Sequence, residues 1–577
     1  MKRRRPGAGN SGFLLAFTLS LTGFWPAALR CQTPFVPPPR SFSPFDPRPF
    51  ALSSENAPLP PLDVLLPRVE MGAFPPIQFH VRAFRFHGNH VFSNDQLAQV
   101  VAPFAGRTIT AEELEQARLA VSAHYAQNGY VNSGAVLDDQ DLEGGVIDFT
   151  IVEGNLNEIE VRGNRWLRTN FIKRRIERRV STPLRLNRVQ EALLLLNDHP
   201  LITKVNADLQ PGGQRGQSRL IVNVQERFPI HAGLEFSNDR PASVGAEHLD
   251  FVGSHQSLTG NGDQLDLRIG LLSRSENGAE SGFDNIAASY TLPLNSWDTT
   301  LRITYQQNDY NIIEEPFAEL GIDGRSSSFD VTLRQPLYQT LRAEFALSLT
   351  GSRRHSESFL LGQRFSLSPG AVDGETNVSV IRFGQEWLYR SQQQVIALRS
   401  SFHLGVNAFD ATKNGTDRDG EFFAWLGQGQ YIRRLDQRGT QLILRGDVQW
   451  TSDQLLSLEQ LSIGGIHTVR GYRENQIVRD TGAIGSAELR VPVWSNAAGK
   501  PVVQLAGFYD IGAGWDVDAK TPEPKLLHSV GAGLIFTPND NISAEFYWAH
   551  RLTEIETPDD EDLQDLGINF RVSVLAF

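Results

Sequence analysis

The sequence predicts a mainly β protein, a 16-stranded transmembrane antiparallel β-barrel preceded by two α+β modules. Three observations carry that prediction. From residue 230 onward, apolar and polar residues alternate with period two in sixteen segments; the links between them alternate between short and long; and residues 79–227 hold one pattern twice. Period two marks a strand whose two faces meet different surroundings, and a membrane barrel meets lipid outside and water inside.

The chain has 577 residues, 40% hydrophobic and 21% charged, with a formal net charge of −12. That acidic balance argues against a nucleic-acid partner, whose phosphates call for a basic surface. The single cysteine, Cys31, excludes a disulfide framework and any metal site that needs two thiolates.

Residues 1–31 read as a signal peptide. Lys2, Arg3, Arg4 and Arg5 supply a positive start, residues 13–25 are mostly apolar and too short to span a bilayer, and Ala27 and Ala28 suit a cleavage site. Arg30 before Cys31 disfavours lipoprotein acylation. No later stretch reaches the roughly 18 apolar residues of a membrane helix. Residues 32–78 form a Pro-rich linker, with 13 prolines between positions 34 and 76, a composition that keeps backbone extended and solvated.

The repeat divides 79–227 into modules at 79–153 and 154–227. Phe84-Arg85-Phe86-His87-Gly88-Asn89 is echoed by Ile159-Glu160-Val161-Arg162-Gly163-Asn164, the Gly-Asn pairs lying 75 residues apart. In each copy a strand ends at Gly-Asn, where both residues tolerate positive φ, and a helix-rich stretch follows. Thr110 and Glu113 form a capping box for a helix whose Leu114, Ala117, Val121 and Tyr125 share one face. Its counterpart runs from Asn187 through Val189, Leu193 and Leu196. Strands at 146–152 and 219–224 close the copies, so each is a β-α-α-β-β unit.

These units resemble polypeptide-transport-associated (POTRA) domains, which stand on the periplasmic side of outer-membrane protein-handling barrels; the turns Gly88-Asn89 and Gly163-Asn164 and the stretch from Tyr125 to Tyr130 carry the likeness. The resemblance implies that an extended partner segment adds to a sheet edge. Candidate edges are Val146, Ile147, Phe149 and Ile151 in the first module and Leu220, Val222 and Val224 in the second.

The barrel domain occupies 228–577. Leu265, Leu267, Ile269 and Leu271 alternate with Asp266, Arg268 and Gly270; Leu341, Ala343, Phe345, Leu347 and Leu349 alternate with Arg342, Glu344, Ala346 and Ser348. Strands are expected to begin near Ile230, Gly245, Gln264, Asn285, Thr299, Ser327, Leu341, Thr376, Gln394, Gly420, Thr440, Thr481, Pro501, Leu527, Asn541 and Asp565. The links at 295–298, 338–340, 391–393, 435–439, 495–500 and 538–540 are short, and those at 309–326, 355–375, 407–419 and 452–480 are long. A soluble sandwich gives the same alternation, but short turns on one rim, long loops on the other and an even strand count select an outer-membrane barrel. Closure is required because an open edge would strand backbone groups in hydrocarbon.

Two motifs stand out within the barrel. The longest loop contains Val469-Arg470-Gly471-Tyr472, and the thirteenth strand contains Phe508-Tyr509-Asp510-Ile511-Gly512. Because Tyr509, Ile511, Ala513 and Trp515 make the apolar series, Phe508, Asp510 and Gly512 face the lumen. An inward-folded loop then brings Arg470 to Asp510 as a charge-assisted pair. Together the motifs resemble the signatures of the superfamily of outer-membrane protein translocases and insertases.

Two POTRA-like modules before sixteen strands resemble the transporter (TpsB) of two-partner secretion, the ShlB/FhaC/HecB-type haemolysin secretion/activation family, over residues 79–577. The resemblance implies an outer-membrane location with the modules in the periplasm, a secreted exoprotein partner of adhesin or haemolysin type bound through the modules, contact with outer-membrane lipid, and no nucleotide, nucleic acid, metal or other cofactor. Members often carry an N-terminal helix that plugs the pore, and residues 34–76 hold no helix-length apolar segment. Insertion of outer-membrane proteins is the alternative reading, and a passive porin, which needs neither modules nor motifs, follows it. The chain has no phosphate loop, zinc-protease or nucleophile-elbow motif and reads as a non-enzyme. Asp417-Arg418-Asp419-Gly420 lacks the spacing of a calcium loop and reads as solvated, as does the acidic run at 559–562. The basic helix with Lys173, Arg174, Arg175, Arg178 and Arg179 reads as a solvated face, with substrate or lipid head groups as the alternative.

Overall fold

A computed structural model describes residues 78–576 apart from 141–143, 273–284, 315–320, 416–417 and 556–561. The signal peptide, nearly all of the linker, Cys31, Asp417 and residues 559–561 fall outside the described residues, and so does any plug in the linker.

The barrel closes through sixteen long antiparallel strands. In order they are Ile230–Ser237, His248–Gln256, Gln264–Leu272, Asn285–Pro293, Thr300–Asn311, Ile322–Gln339, Ala343–Leu360, Glu375–Arg390, Gln394–Gly405, Phe423–Arg434, Gln441–Thr451, Thr481–Ser495, Pro501–Trp515, Leu526–Asn539, Ile542–Arg551 and Ile568–Leu575. Each begins within five residues of its expected start. Facing sides follow the alternation: Asp266 and Arg268 are buried on the lumenal side while Leu271 is exposed on the lipid side, and Ser348 is buried where Leu349 is exposed. The links expected at 309–326 and 355–375 are shorter, because the sixth and seventh strands run for 18 residues each. The halves of these strands nearer those links, rich in Ser, Arg and His, carry little apolar alternation to mark them as strand.

First and last strands meet over only five residue pairs, Gly233↔Leu575 to Ser237↔Arg571. Beyond them side chains continue the closure. Asn238 Nδ2 donates to the Ile568 carbonyl at 2.9 Å and its Oδ1 accepts from the Phe570 N–H at 2.8 Å. Gln564 Nε2 donates to the carbonyls of Asn238 and Arg240 at 2.6 and 2.7 Å.

The two modules share a three-stranded sheet of one topology, and the first adds to the expected β-α-α-β-β order a short ladder of Gln78–Val81 with Arg107–Thr110. In the first, Ala83–His87, Val146–Val152 and Gly134–Val136 form a sheet in that spatial order; in the second, Asn155–Arg162, Gln217–Glu226 and Ile202–Pro211 do. This corrects the expected edges. Val146, Ile147, Phe149 and Ile151, and Leu220, Val222 and Val224, lie on central strands, paired parallel to Ala83–His87 and to Asn155–Arg162 respectively and antiparallel to a third strand. Burial on both faces explains the continuous apolar run Leu220-Ile221-Val222. The true edges are Ala83–His87 and Gly134–Val136, and Asn155–Arg162 and Ile202–Pro211.

The Gly-Asn turn is the same device twice. Gly88 and Gly163 both have φ +83°, and a Cβ there would sit 2.7 Å from the Ile151 carbonyl oxygen and 2.4 Å from that of Val224. Only the glycine takes positive φ. Each asparagine instead ties the following turn: Asn89 Nδ2 donates to the Phe92 carbonyl at 2.8 Å and Asn164 Nδ2 to that of Leu167 at 2.7 Å. A carboxylate completes each copy. Glu153 accepts from the N–H groups of His90 and Val91 at 2.7 Å, and Glu226 from those of Arg165 and Leu167 at 2.8 and 3.1 Å.

The second module is seated on the short turns of the barrel. Arg175 pairs with Asp298 at 2.5 Å, Arg178 donates to the Ser296 carbonyl at 2.7 Å and stacks 4.1 Å from the Trp297 ring, Arg179 bonds Gln339 Oε1 at 2.5 Å, and Asp198 pairs with Arg390. Three of the five cations read as a solvated or substrate-facing surface therefore bind the barrel instead; Arg174 is exposed.

Candidate functional site: the loop folded into the barrel

Residues 452–480, between the eleventh and twelfth strands, fold inward on a small hairpin of Leu461–Ile463 and Ile477–Arg479. Its apolar side chains give the hairpin a core inside the barrel: Leu461, Ile463, Val469, Tyr472 and Ile477 pack with Ile484 and Leu527 of the wall. Gly512 permits that approach, since a Cβ there would lie 2.5 Å from Ile463 and 2.9 Å from Val469.

At the tip Arg470 meets Asp510 as a fork. Its Nε donates to Oδ2 at 2.7 Å, Nη2 to Oδ1 at 2.9 Å, and its backbone N–H to Oδ2 at 3.1 Å. Nη1 donates to Glu488 Oε2 at 2.5 Å. The guanidinium carbon lies 3.5 Å from the centre of the Phe508 ring and 4.8 Å from that of Tyr547. Ser486 Oγ donates to Asp510 Oδ1 at 2.6 Å, and Arg490, bonded to Tyr547 Oη at 3.0 Å, also pairs with Glu488. Arg470, Glu488 and Asp510 are 5%, 2% and 0% exposed, so the pairing occurs out of bulk water, where charge-assisted bonds are strong and a stranded charge is costly.

The rest of the motif secures the same tip. Tyr472 Oη donates to the His528 carbonyl at 2.8 Å, and the Gly471 carbonyl accepts from Arg551 Nε at 2.5 Å. Arg473 forks onto Asp565 and reaches Glu314 at 2.5 Å. Asp562 is half-buried beside it. Arg418, read as part of a solvated loop, donates to the Leu455 carbonyl at 2.6 Å, so that reading is corrected too.

Sequence reasoning brought Arg470, Phe508 and Asp510 into one place and missed Glu488, Ser486, Arg490 and Tyr547. The signal for Glu488 was present: Ile484, Ser486 and Glu488 share one face of the twelfth strand, opposite Ala487 and Leu489. The modules' Gly88, Asn89, Gly163 and Asn164 lie in their periplasmic turns, apart from the lumenal site.

Comparisons with known proteins agree with this architecture. The family model for haemolysin secretion/activation protein ShlB/FhaC/HecB matches residues 216–536, and the ShlB-type POTRA domain matches 79–154. Similar proteins include the outer membrane transporter CdiB of Dickeya dadantii (strain 3937), 25% identical over 425 residues covering 72% of this chain and 73% of that one. The heme/hemopexin transporter protein HuxB of Haemophilus influenzae (strain 86-028NP) is 22% identical over 78% of this chain and 79% of its own length. Among solved structures, CdiB from Escherichia coli has a TM-score of 0.64 at 23% identity, covering 90% of this chain and 94% of that one. BamA from Haemophilus ducreyi lacking POTRA domains 1–3 shares the fold more loosely, with a TM-score of 0.51 at 14% identity over 86% of this chain and 100% of that one. A family match over more than half of the chain, joined to a POTRA domain and a closed barrel of the same plan, makes this protein an outer-membrane transporter of the ShlB/FhaC/HecB haemolysin secretion/activation family.

Proposed function

We propose that this transporter moves one large adhesin- or haemolysin-type exoprotein from the periplasm to the cell surface by two-partner secretion, and that the POTRA modules take hold of it as an extended strand. The observation that carries this reading is the joining of two POTRA modules to a closed sixteen-stranded barrel, in a chain that matches the haemolysin secretion/activation family; the lumenal loop held by Arg470, Asp510 and Glu488 is compatible with it. The barrel supplies a water-lined path and the loop its gate.

Among the module edges, Ile202–Pro211 is best suited to strand addition. It is the longest at ten residues, and its inner side alone pairs with the central strand. Gly134–Val136 is three residues long, and its Ala135 N–H and carbonyl are already bonded to Ser122 and Arg118. Backbone pairing along such an edge demands little of the partner's sequence.

Mass spectrometry of culture medium, with and without the transporter, tests the function. Loss of one very large secreted protein is the expected result; loss of many barrels from the outer membrane, with no secreted protein missing, would instead identify an insertion factor. Arg470→Ala and Asp510→Ala should abolish most secretion while leaving the barrel in the membrane, and Arg470→Lys should rescue poorly because an ammonium lacks the planar fork. A proline scan of positions 203–210 tests the edge: retained secretion at every position would remove it from the mechanism.

A further inference from the structure

The inward loop has further buried charges outside the tip: Arg479 and Asp480 at its end, where Asp480 accepts from the Leu455 N–H at 3.0 Å, and Glu459 near its start. Glu459, 1% exposed, lies where Leu455 and Leu456 pack with Val378, Val380, Phe422 and Ala424. Its carboxylate accepts from Arg382 Nη2 at 2.7 Å and lies 3.2 Å from Arg354 Nη1, with His403 Nδ1 at 3.9 Å. Arg354 also donates to the Leu458 carbonyl at 2.5 Å, and Gln449 Nε2 to the Glu459 carbonyl at 3.1 Å. The partners come from the seventh, eighth, ninth and eleventh strands, whereas the tip is held by the twelfth to fifteenth.

The polarity of the two clusters is opposite. At the tip the loop brings a guanidinium to wall carboxylates; at the base it brings a carboxylate to wall guanidinium groups. A loop seated the wrong way round would set Arg470 against Arg354 and Arg382, and Glu459 against Asp510 and Glu488. Like charges buried together are costly, so the opposed polarity disfavours the wrong seating.

We propose that Glu459 is a positioning residue, the base anchor of the inward loop, which holds the loop's start to the wall of strands seven to nine independently of the Arg470 clamp. Releasing the tip then swings the loop about its base rather than freeing it. The assignment concerns the loop's attachment and is tested without any exoprotein, so its failure would leave the export reading standing.

Two buried reporter positions separate base from tip: Leu456→Cys and Val469→Cys, 1% and 0% exposed, each in a Cys31→Ser background. The full-length protein in outer-membrane vesicles is treated with a membrane-impermeant maleimide, and folding is checked by heat-modifiable migration. Glu459→Gln should raise labelling at position 456 about tenfold or more and leave position 469 within about twofold, and Arg470→Ala should do the reverse. Glu459→Asp should retain part of the protection, and Glu459→Arg combined with Arg382→Glu should restore most of it. Unchanged labelling at position 456 with Glu459→Gln, or an equal rise at both reporters, overturns the proposal. Should Glu459→Gln fail to assemble, the charge-swapped pair decides: protection of position 456 supports the anchor, and labelling as fast as in the unfolded chain refutes it.

Discussion

The first module's two helices, Asn94–Val101 and Ala111–Gln127, begin on complete capping boxes, Ser93 with Gln96 and Thr110 with Glu113. The second module's helices, Thr169–Glu177 and Leu186–Asn197, begin after Arg168 and Arg185, neither of which caps with its side chain. Backbone donors at their starts are taken by neighbours. The Arg168 N–H bonds the Gly260 carbonyl of the first periplasmic turn at 2.8 Å, and the Leu186 N–H bonds the Gly129 carbonyl of the first module at 2.8 Å. Two units with one sheet topology therefore differ in where their local structure is completed. The first carries its own helix signals and hangs from its neighbour. The second is a joint, finished by the parts it connects.

Separating the two units tests that contrast most severely. Residues 79–153 alone should melt cooperatively, while 154–227 alone should lose two helix starts at about 1 kcal/mol each and its contacts with the turns, and so melt at a clearly lower temperature. Circular dichroism and thermal melting of the fragments would show it, and equal stability would erase the distinction.

Replacing the turn glycines comes next. Gly163→Ala and Gly88→Ala should each cost about 2 to 3 kcal/mol, from positive φ and a Cβ pressed on a carbonyl, with Gly163 the worse because its contact is closer. Chemical denaturation of the 79–227 fragment would rank them. Capping substitutions sharpen the comparison further. Ser93→Ala and Thr110→Ala should cost about 1 kcal/mol each, and Arg168→Ala and Arg185→Ala below about 0.5 kcal/mol, since they remove no cap.

Acid should separate the modules by a smaller margin. Burial works against the charge on Glu153, but the Val91 and His90 N–H groups and the Tyr125 hydroxyl outweigh it and hold the carboxyl below its ordinary value. Stability from that group is present above about pH 4.3, the unfolded value, and is lost as pH falls through the lowered one. In the second module, burial against Phe171 and the charge of Arg175 bring His199 down to about 3. Its Nδ1 accepts the Leu201 N–H at 3.3 Å, which requires the neutral ring. The unfolded chain takes up that proton below about pH 6.5 and the folded one does not, so stability declines from pH 6.5 toward 3. Because part of the ring reaches solvent, the effect should be modest. Amide exchange of the full-length protein over a pH series should show the second module loosening first, since Gly262 of a barrel turn helps cover His199.

The barrel was legible because each strand repeats one rule, apolar outward and polar inward, and sixteen weak signals reinforce one another. Arg470 and Asp510 were legible because both sit in distinctive motifs and the period of the thirteenth strand fixes which way Asp510 points. Strand order in a three-stranded sheet obeys no such rule. It depends on which strand is inserted between two others, and the last strand in each module takes the middle; the run Leu220-Ile221-Val222 was the available hint. The arginines of the second module were misread because a basic helix end looks the same whether it faces water or a turn bearing Asp298. Glu459 was invisible for a related reason: its partners lie 77 and 105 residues away, in strands whose lumenal arginines carry no motif.

The closure of the barrel has an evolutionary corollary. Fifteen of its joints are ladders of backbone hydrogen bonds, a material that every residue but proline supplies and that side-chain replacement barely alters. At the sixteenth, part of the bonding is done by the amides of Asn238 and Gln564. A single codon change can weaken or strengthen that joint while the others stay as they are. Heritable variation in how firmly the cylinder shuts is thus concentrated at one line along its wall.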